Sequence, residues 1–182
     1  MPSKTSCRGN RSIAHPKNSY NYVNMKKITI AAPGPLKHKF IAEGLNYYQT
    51  LIKRFAILEV KLPKLKGSYA DPEKRKREEE ALIWKALEEI PTQKRFVVVL
   101  DERGKALKTE EFAKFIEDKL SLDKELFFVI GGPEGLSEGL KHKADFVLSL
   151  SSLTLNHELA LLVLAEALFR ALSLMKGHPY HR

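Results

Sequence analysis

Two imidazoles, a phenol and a guanidinium close this chain, as His178, Tyr180, His181 and Arg182 within Gly177-His178-Pro179-Tyr180-His181-Arg182. Together these groups can donate, accept, stack and meet a phosphate, which suits contact with nucleic acid or proton transfer on a base. His178 and His181 have a ligand-like spacing, but no cysteine or nearby acid completes a site, so no metal is expected. Last residues ordinarily fray. Here they follow a helix too apolar to be left exposed, which predicts a tail held against something. Before that helix lies an uncharged loop, Ser151-Ser152-Leu153-Thr154-Leu155-Asn156, and then His157. The loop reads both as a connection capped by Asn156 and as a lid over an adenosine-sized ligand. Two further positions could hold a ligand. In Ile130-Gly131-Gly132-Pro133-Glu134-Gly135 the glycines admit close backbone approach. The other is Leu100-Asp101, at the end of an apolar run. The glycine pattern is neither GxGxxG nor a P-loop, which disfavours a dinucleotide or nucleoside triphosphate. A small ligand held by backbone groups and apolar walls fits better.

These positions need elements to carry them. Apolar runs at 28–32, 57–62, 96–100, 126–130 and 145–150 read as strands. Between them, helical patterns span 36–53, with Phe40, Leu45, Tyr48 and Ile52 inward, then 109–120, 137–143 and 158–175. Asp71-Pro72-Glu73 is a helix start: a capping Asp, Pro at the first helical position, and an acid near the positive end of the dipole. The charge run 73–80 that follows reads as a solvated face, and Asp101-Glu102-Arg103-Gly104 as a turn. Strands alternating with helices predict an α/β fold, a mainly parallel sheet with helices on both faces. Ligands on such a sheet bind beyond the carboxyl ends of the strands, where Leu100, Gly131 and residues 150–155 fall. The last helix carries few charges, Glu158, Glu166 and Arg170, so it should be buried on more than one side, either deep in the monomer or, as its place at the end of the chain favours, between the sheet and a second copy of the chain.

Composition bounds the reading. The 182 residues are enough for one domain with a real core. Apolar residues are 43% and charged residues 29%, the balance of a globular chain. A net charge of +9 favours a polyanionic partner. Part of it sits in residues 1–24, which hold Lys4, Arg8, Arg11 and Lys17 and no acid; the remaining 27 basic and 22 acidic residues leave +5. That segment is polar and aperiodic, without the apolar stretch of a secretory signal, and reads as a disordered or upstream extension before Met25. Residues 25–182 then form a single domain. The sole cysteine, Cys7, lies in the extension, so the body has no disulfide, which suits a cytoplasmic location. No run is long and apolar enough for a membrane span.

Taken in order, Leu100-Asp101-Glu102-Arg103-Gly104, then Ile130-Gly131-Gly132-Pro133-Glu134-Gly135-Leu136, then residues 148–155 with His157, then the closing His-Pro-Tyr-His-Arg, resemble the large-subunit ribosomal RNA methyltransferase H family, small SPOUT-class enzymes. The resemblance covers residues 25–182. It implies an S-adenosylmethionine-dependent enzyme that methylates N3 of a pseudouridine in 23S rRNA of the assembled ribosome. It also implies a homodimer and a trefoil knot in the C-terminal part of the sheet. By matching positions, it places cofactor contacts on Leu100, Gly131, Gly132, Leu150, Ser151, Ser152, Leu153, Thr154 and Leu155. One departure stands out: members often carry Arg four residues after the motif histidine, and this chain has Leu161. A role for that Arg would pass to Arg170, Lys176 or the basic loop 64–66.

The chemistry so implied needs in-line placement of a methyl group and removal of the imide proton. A base near pKa ~6.5 is weaker than the imide anion, and each unit of mismatch costs about 1.4 kcal/mol. Donors to the flanking carbonyls should therefore matter. His157, His178, Tyr180 and His181 are candidate bases or orienting groups, with His181 first; Arg182 and Arg170 are candidate carbonyl or phosphate partners. The alternative on the same evidence is a non-enzymatic ribosome- or RNA-binding module.

Overall fold

The computed structural model describes residues 25–67 and 69–177. The expectations for residues 1–24 and for the tail residues His178, Tyr180, His181 and Arg182 lie outside the described residues.

Five strands form one sheet: β1 (Lys27–Ala31), β2 (Ile57–Lys61), β3 (Arg95–Ala106), β4 (Glu125–Val129) and β5 (Phe146–Ser149). Their spatial order is β2-β1-β4-β3-β5, with every pairing parallel. The helices are α1 (Lys39–Ile52), α2 (Pro72–Glu88), α3 (Thr109–Ser121), α4 (Glu138–His142) and α5 (His157–Met175). The expected α/β fold, a parallel sheet covered on both faces, is what forms.

Strand residues alternate between two cores, as the pleat requires. Ile28, Ile30, Val98, Leu126, Phe128 and Leu148 face α1, α3 and α5. On the other side Ala31, Val97, Val99, Phe127 and Val129 face α2 and α4, through Ile83, Leu87 and Leu140. Phe127 and Phe128 are neighbours in sequence and both fully buried, each in a different core. This is why β3 and β4 read as continuous apolar runs without alternation.

Local rules account for the helix starts. Asp71 caps α2, its carboxylate accepting from Glu73 N at 3.0 Å. Ser137 caps α4 by accepting from Leu140 N at 3.2 Å, and Asn156 caps α5 by accepting from Glu158 N at 2.8 Å.

Three expectations are corrected. Phe40 does not face inward: it is 59% exposed, and Ile41 takes its place in the core, on one helical face with Leu45 and Ile52. Residues 101–104 do not end the strand. Leu100 and Lys105 both register with Leu148, so β3 makes a four-residue excursion and then resumes beside β5. Gly104 permits this, since a Cβ there would lie 2.8 Å from both the Leu148 carbonyl carbon and the Val147 oxygen. Finally, the charge run on α2 is not wholly solvated: Glu79 is buried and shares a face with Ile83 and Leu87 at helical spacing.

Helix α5 lies against both α1 and α3, and Leu161, Leu164, Ala165 and Leu168 are fully buried within the one chain. Position 161 therefore points into the core and offers no surface contact. Arg170 pairs with Glu166, one turn away. Leu159 and Val163 of α5, with Phe40 and Tyr47 of α1, remain exposed.

Candidate functional site

The strands β4, β3 and β5 are adjacent in the sheet, so their three carboxyl ends meet. There they enclose a cavity of about 660 Å³, within the range of small-ligand sites. Its walls include Leu100 to Arg103 from the β3 excursion, Ile130 to Leu136 from the glycine turn, and Leu150, Ser151, Leu153, Thr154, Leu155 and His157 from the last loop and helix start. Of the nine positions expected to touch a cofactor, eight line it. Ser152 does not; it is exposed on the outer side of the loop. A second cavity, about 430 Å³, sits by the starts of β1 and β4. It contains none of the positions selected above, and Lys27 there is already paired with Glu59 at 2.8 Å.

Each wall has its own support. In the turn after β4, a Cβ on Gly131 would fall 2.8 Å from Leu136 Cγ and 2.9 Å from the Gly135 carbonyl carbon. The turn closes because Gly131 lacks one. Gly135 has φ +69°, a left-handed conformation that glycine adopts without strain. Helix α2 holds this turn from outside. Glu80 accepts from the Ser137 hydroxyl at 2.8 Å and also from the Ser137 backbone N–H. Glu79 lies against Gly132, where an added Cβ would come within 2.1 Å of its Oε2, and pairs with Arg75 at 3.1 Å. The buried face of the charge run thus braces the glycine turn.

The β3 excursion is pinned by charge. Asp101 accepts from Lys141 of α4 at 2.5 Å, from Arg103 N at 2.9 Å and from Arg103 Nε at 3.2 Å. Burial pushes the Asp101 carboxyl up, but the Lys141 ammonium and the Arg103 donors outweigh it and hold the group well below the usual carboxylate range. Lys141 moves the opposite way: burial lowers it, and Asp101 and Glu138 more than restore it, so its pKa is raised. Across the cavity mouth, the Thr154 hydroxyl donates to Glu102 at 2.5 Å, linking the last loop to the excursion. Within that loop Ser149 donates to the Ser151 carbonyl at 3.0 Å, and Ser151 Oγ accepts from Leu153 N at 2.9 Å.

At the start of α5, His157 lines the cavity half-buried. Burial lowers its pKa; Glu158 and Glu79 oppose this, while Lys37 and Arg75 add to it. The ring is therefore neutral at pH 7 and has an acceptor nitrogen. The next residue, Glu158, is 2% exposed. Its carboxylate accepts from Lys37 N at 3.0 Å, His38 N at 3.2 Å and the His38 ring at 3.1 Å. This ties the α5 start to the segment after β1. Burial would raise its pKa, but those backbone and ring contacts prevail and lower it.

The chain matches, over residues 25–181, the family model described as "Predicted SPOUT methyltransferase". It belongs to the SPOUT methyltransferases. Relatives within the family carry the name Ribosomal RNA large subunit methyltransferase H. The one from Thermodesulfovibrio yellowstonii is 42% identical over 157 residues, 86% of this chain and 99% of the relative. That of Coprothermobacter proteolyticus is 37% identical with the same coverage, and that of Bacteroides fragilis 34% identical over 85% of this chain and 98% of its own. The resemblance drawn from the motifs is thus matched along the whole SPOUT domain.

Reasoning from the sequence named the three strand ends that line this cavity but missed what α2 and α4 bring to it, namely Arg75, Lys76, Glu79, Glu80 and Lys141. One signal was available: Glu79, Ile83 and Leu87 recur every four residues, which puts the acid on the apolar face of α2. Among the described residues no helix is long and apolar enough to cross a membrane, and no group of three or more His, Cys, Asp or Glu could hold a metal ion.

Proposed function

We propose that this chain uses S-adenosylmethionine to methylate N3 of a pseudouridine in 23S rRNA within the assembled ribosome. The observation that carries the cofactor assignment is the convergence of Leu100, the Gly131-Gly132 turn and the 150–155 loop on one cavity of about 660 Å³. The residues fit the ligand. Leu100, Ile130, Leu136, Leu150 and Leu155 give it apolar walls that suit an adenosine. When bound, S-adenosylmethionine supplies a methyl group already made electrophilic by its sulfonium.

The chain's own tasks are then to position and to move a proton. Leu100, Gly131, Gly132 and the 150–155 loop apart from Ser152 hold the donor, and the Thr154–Glu102 bond keeps the loop over it. Neutral His157 can orient the target base or take its imide proton. The tail residues His178, Tyr180, His181 and Arg182 serve the RNA side, with His181 the first candidate for the base. Alignment of the two reactants can supply several kcal/mol of the barrier reduction. The enzyme acts as a homodimer in the bacterial cytoplasm, with its C-terminal segment threaded in a trefoil knot. Exposed Leu159 and Val163 on α5, beside Phe40 and Tyr47 on α1, support that dimer, because four large apolar side chains on two touching helices favour a covered face.

The deciding experiment is labelled methyl transfer to hypomethylated ribosomes and to naked rRNA, with the product nucleoside identified by mass spectrometry. The reading expects N3-methylpseudouridine on ribosomes and little on naked RNA. RNA binding with neither methyl transfer nor S-adenosylmethionine binding would favour the non-enzymatic module instead.

A further inference from the structure

Most charged groups lining the cavity are already committed. Asp101 holds Lys141 and Arg103, Glu138 holds Lys141 at 3.0 Å and Arg103 at 3.6 Å, and Glu102 holds Thr154. Two lining groups differ. Lys76, on the turn of α2 that also presents Arg75, is half-buried and has no ionic or hydrogen-bond partner among the described residues. Glu134, between Pro133 and Gly135, has one carboxylate oxygen, Oε2, shut from solvent without a hydrogen-bond partner.

A carboxylate with a desolvated, unpartnered oxygen is costly in the free protein, because little replaces the water it has lost. A cation in the cavity, meeting the carboxylate through its other oxygen, would supply the counter-charge that the group lacks. A lysine lining the same cavity, also without a partner, calls for an anion. One small ligand bearing both charged groups on a single carbon satisfies the two together, and an α-amino acid is that ligand.

We propose that Glu134 and Lys76 receive the zwitterionic amino-acid end of the methyl donor, the carboxylate of Glu134 taking the ammonium and the ammonium of Lys76 taking the carboxylate. The proposal rests on the reading that the cavity binds S-adenosylmethionine. It adds a division of labour: the strand ends hold the nucleoside, whereas the glycine turn and α2 select the amino acid. It also gives α2 a reason to be braced against the turn through Glu79, Glu80 and Ser137, since the two charges must keep a fixed separation.

The test is calorimetry on the full chain and on the variants Glu134→Gln and Lys76→Met. The ligands are S-adenosylmethionine, S-adenosylhomocysteine and 5′-methylthioadenosine, which keeps the nucleoside and sulfur but lacks the amino acid. Each variant should weaken the first two by about tenfold to a hundredfold, the range for one charge-assisted bond. Binding of 5′-methylthioadenosine should change less than twofold, which also shows that the variants fold. Equal loss on all three ligands, or loss on none, overturns the proposal while leaving the cofactor reading intact. So does a Glu134→Gln enzyme that binds S-adenosylmethionine normally but no longer transfers methyl, which would assign Glu134 to the target base. A wild-type chain that binds none of the three overturns both readings, and is seen before any variant is made.

Discussion

Removing the charge of Glu158 should loosen the whole entrance to the last helix. Its carboxylate accepts two backbone N–H groups, from Lys37 at 3.0 Å and His38 at 3.2 Å, and the His38 ring at 3.1 Å. A hydrogen bond to a charged group is worth about 1.5–3 kcal/mol net. The 3.2 Å contact lies at the weak end, and the His38 side chain is 54% exposed, so the ring contributes less than about 1 kcal/mol. Glu158→Ala should therefore lower unfolding free energy by about 3 kcal/mol, and Glu158→Gln, which keeps one acceptor oxygen, by about half that. The pH dependence has a defined sign. The folded pKa is depressed below the ordinary carboxylate value, so the unfolded chain binds the proton first as pH falls. The stabilisation is full at neutral pH and is lost as pH drops through the folded value. Urea denaturation at pH 7 and at about pH 3.5 measures this, given an ordinary glutamate pKa of about 4.3. Other acids titrate alike in wild type and Glu158→Gln, so the gap between them isolates this carboxylate. An equal gap at both pH values, or no gap at pH 7, would refute the argument.

Three other outcomes follow from the site. Gly131→Ala should cost about 1–3 kcal/mol in stability, the usual range for overpacking, and reduce S-adenosylmethionine affinity at least roughly tenfold by calorimetry, because the added methyl meets Gly135 backbone and the Leu136 side chain. Thr154→Val removes the bond to Glu102 and should speed cofactor release severalfold in stopped-flow displacement; an unchanged rate would mean that this latch holds nothing. The His157 ring should titrate below the ordinary histidine value in an NMR pH series, since burial disfavours its cation. Stability should accordingly decline as pH falls from about 6.5, the unfolded value, towards the folded one, and a midpoint at or above that value would contradict the burial argument.

Much of the architecture was legible because its signals are local. Apolar runs such as Val97-Val98-Val99 need cover on both faces and so predict a buried parallel strand. Asp71 before Pro72, and Asn156 before α5, mark helix starts by side-chain chemistry that acts over two or three residues. The glycine turn was selected because Gly131, Gly132 and Gly135 allow what other residues do not. Where the reading failed, the cause was tertiary. Phe40 and Ile41 are both apolar and adjacent, and only the angle at which α1 meets the sheet puts Ile41 inside and Phe40 out. Residues 101–104 carry turn chemistry, yet β5 lies close enough to pair with β3 on both sides of them.

The chain by itself determined which residue types could hold a small ligand against backbone groups and apolar walls, and that three strand ends bore them. It could not determine that these ends are neighbours, since β4, β3 and β5 become adjacent only through the strand order of the folded sheet. Nor could it show that Glu79 and Glu80 of α2, more than fifty residues before Gly132 and Ser137, turn inward to brace the same turn. Charge pattern along a helix reports only its own neighbours. Which of those charges leaves water is decided by what the rest of the chain packs against it.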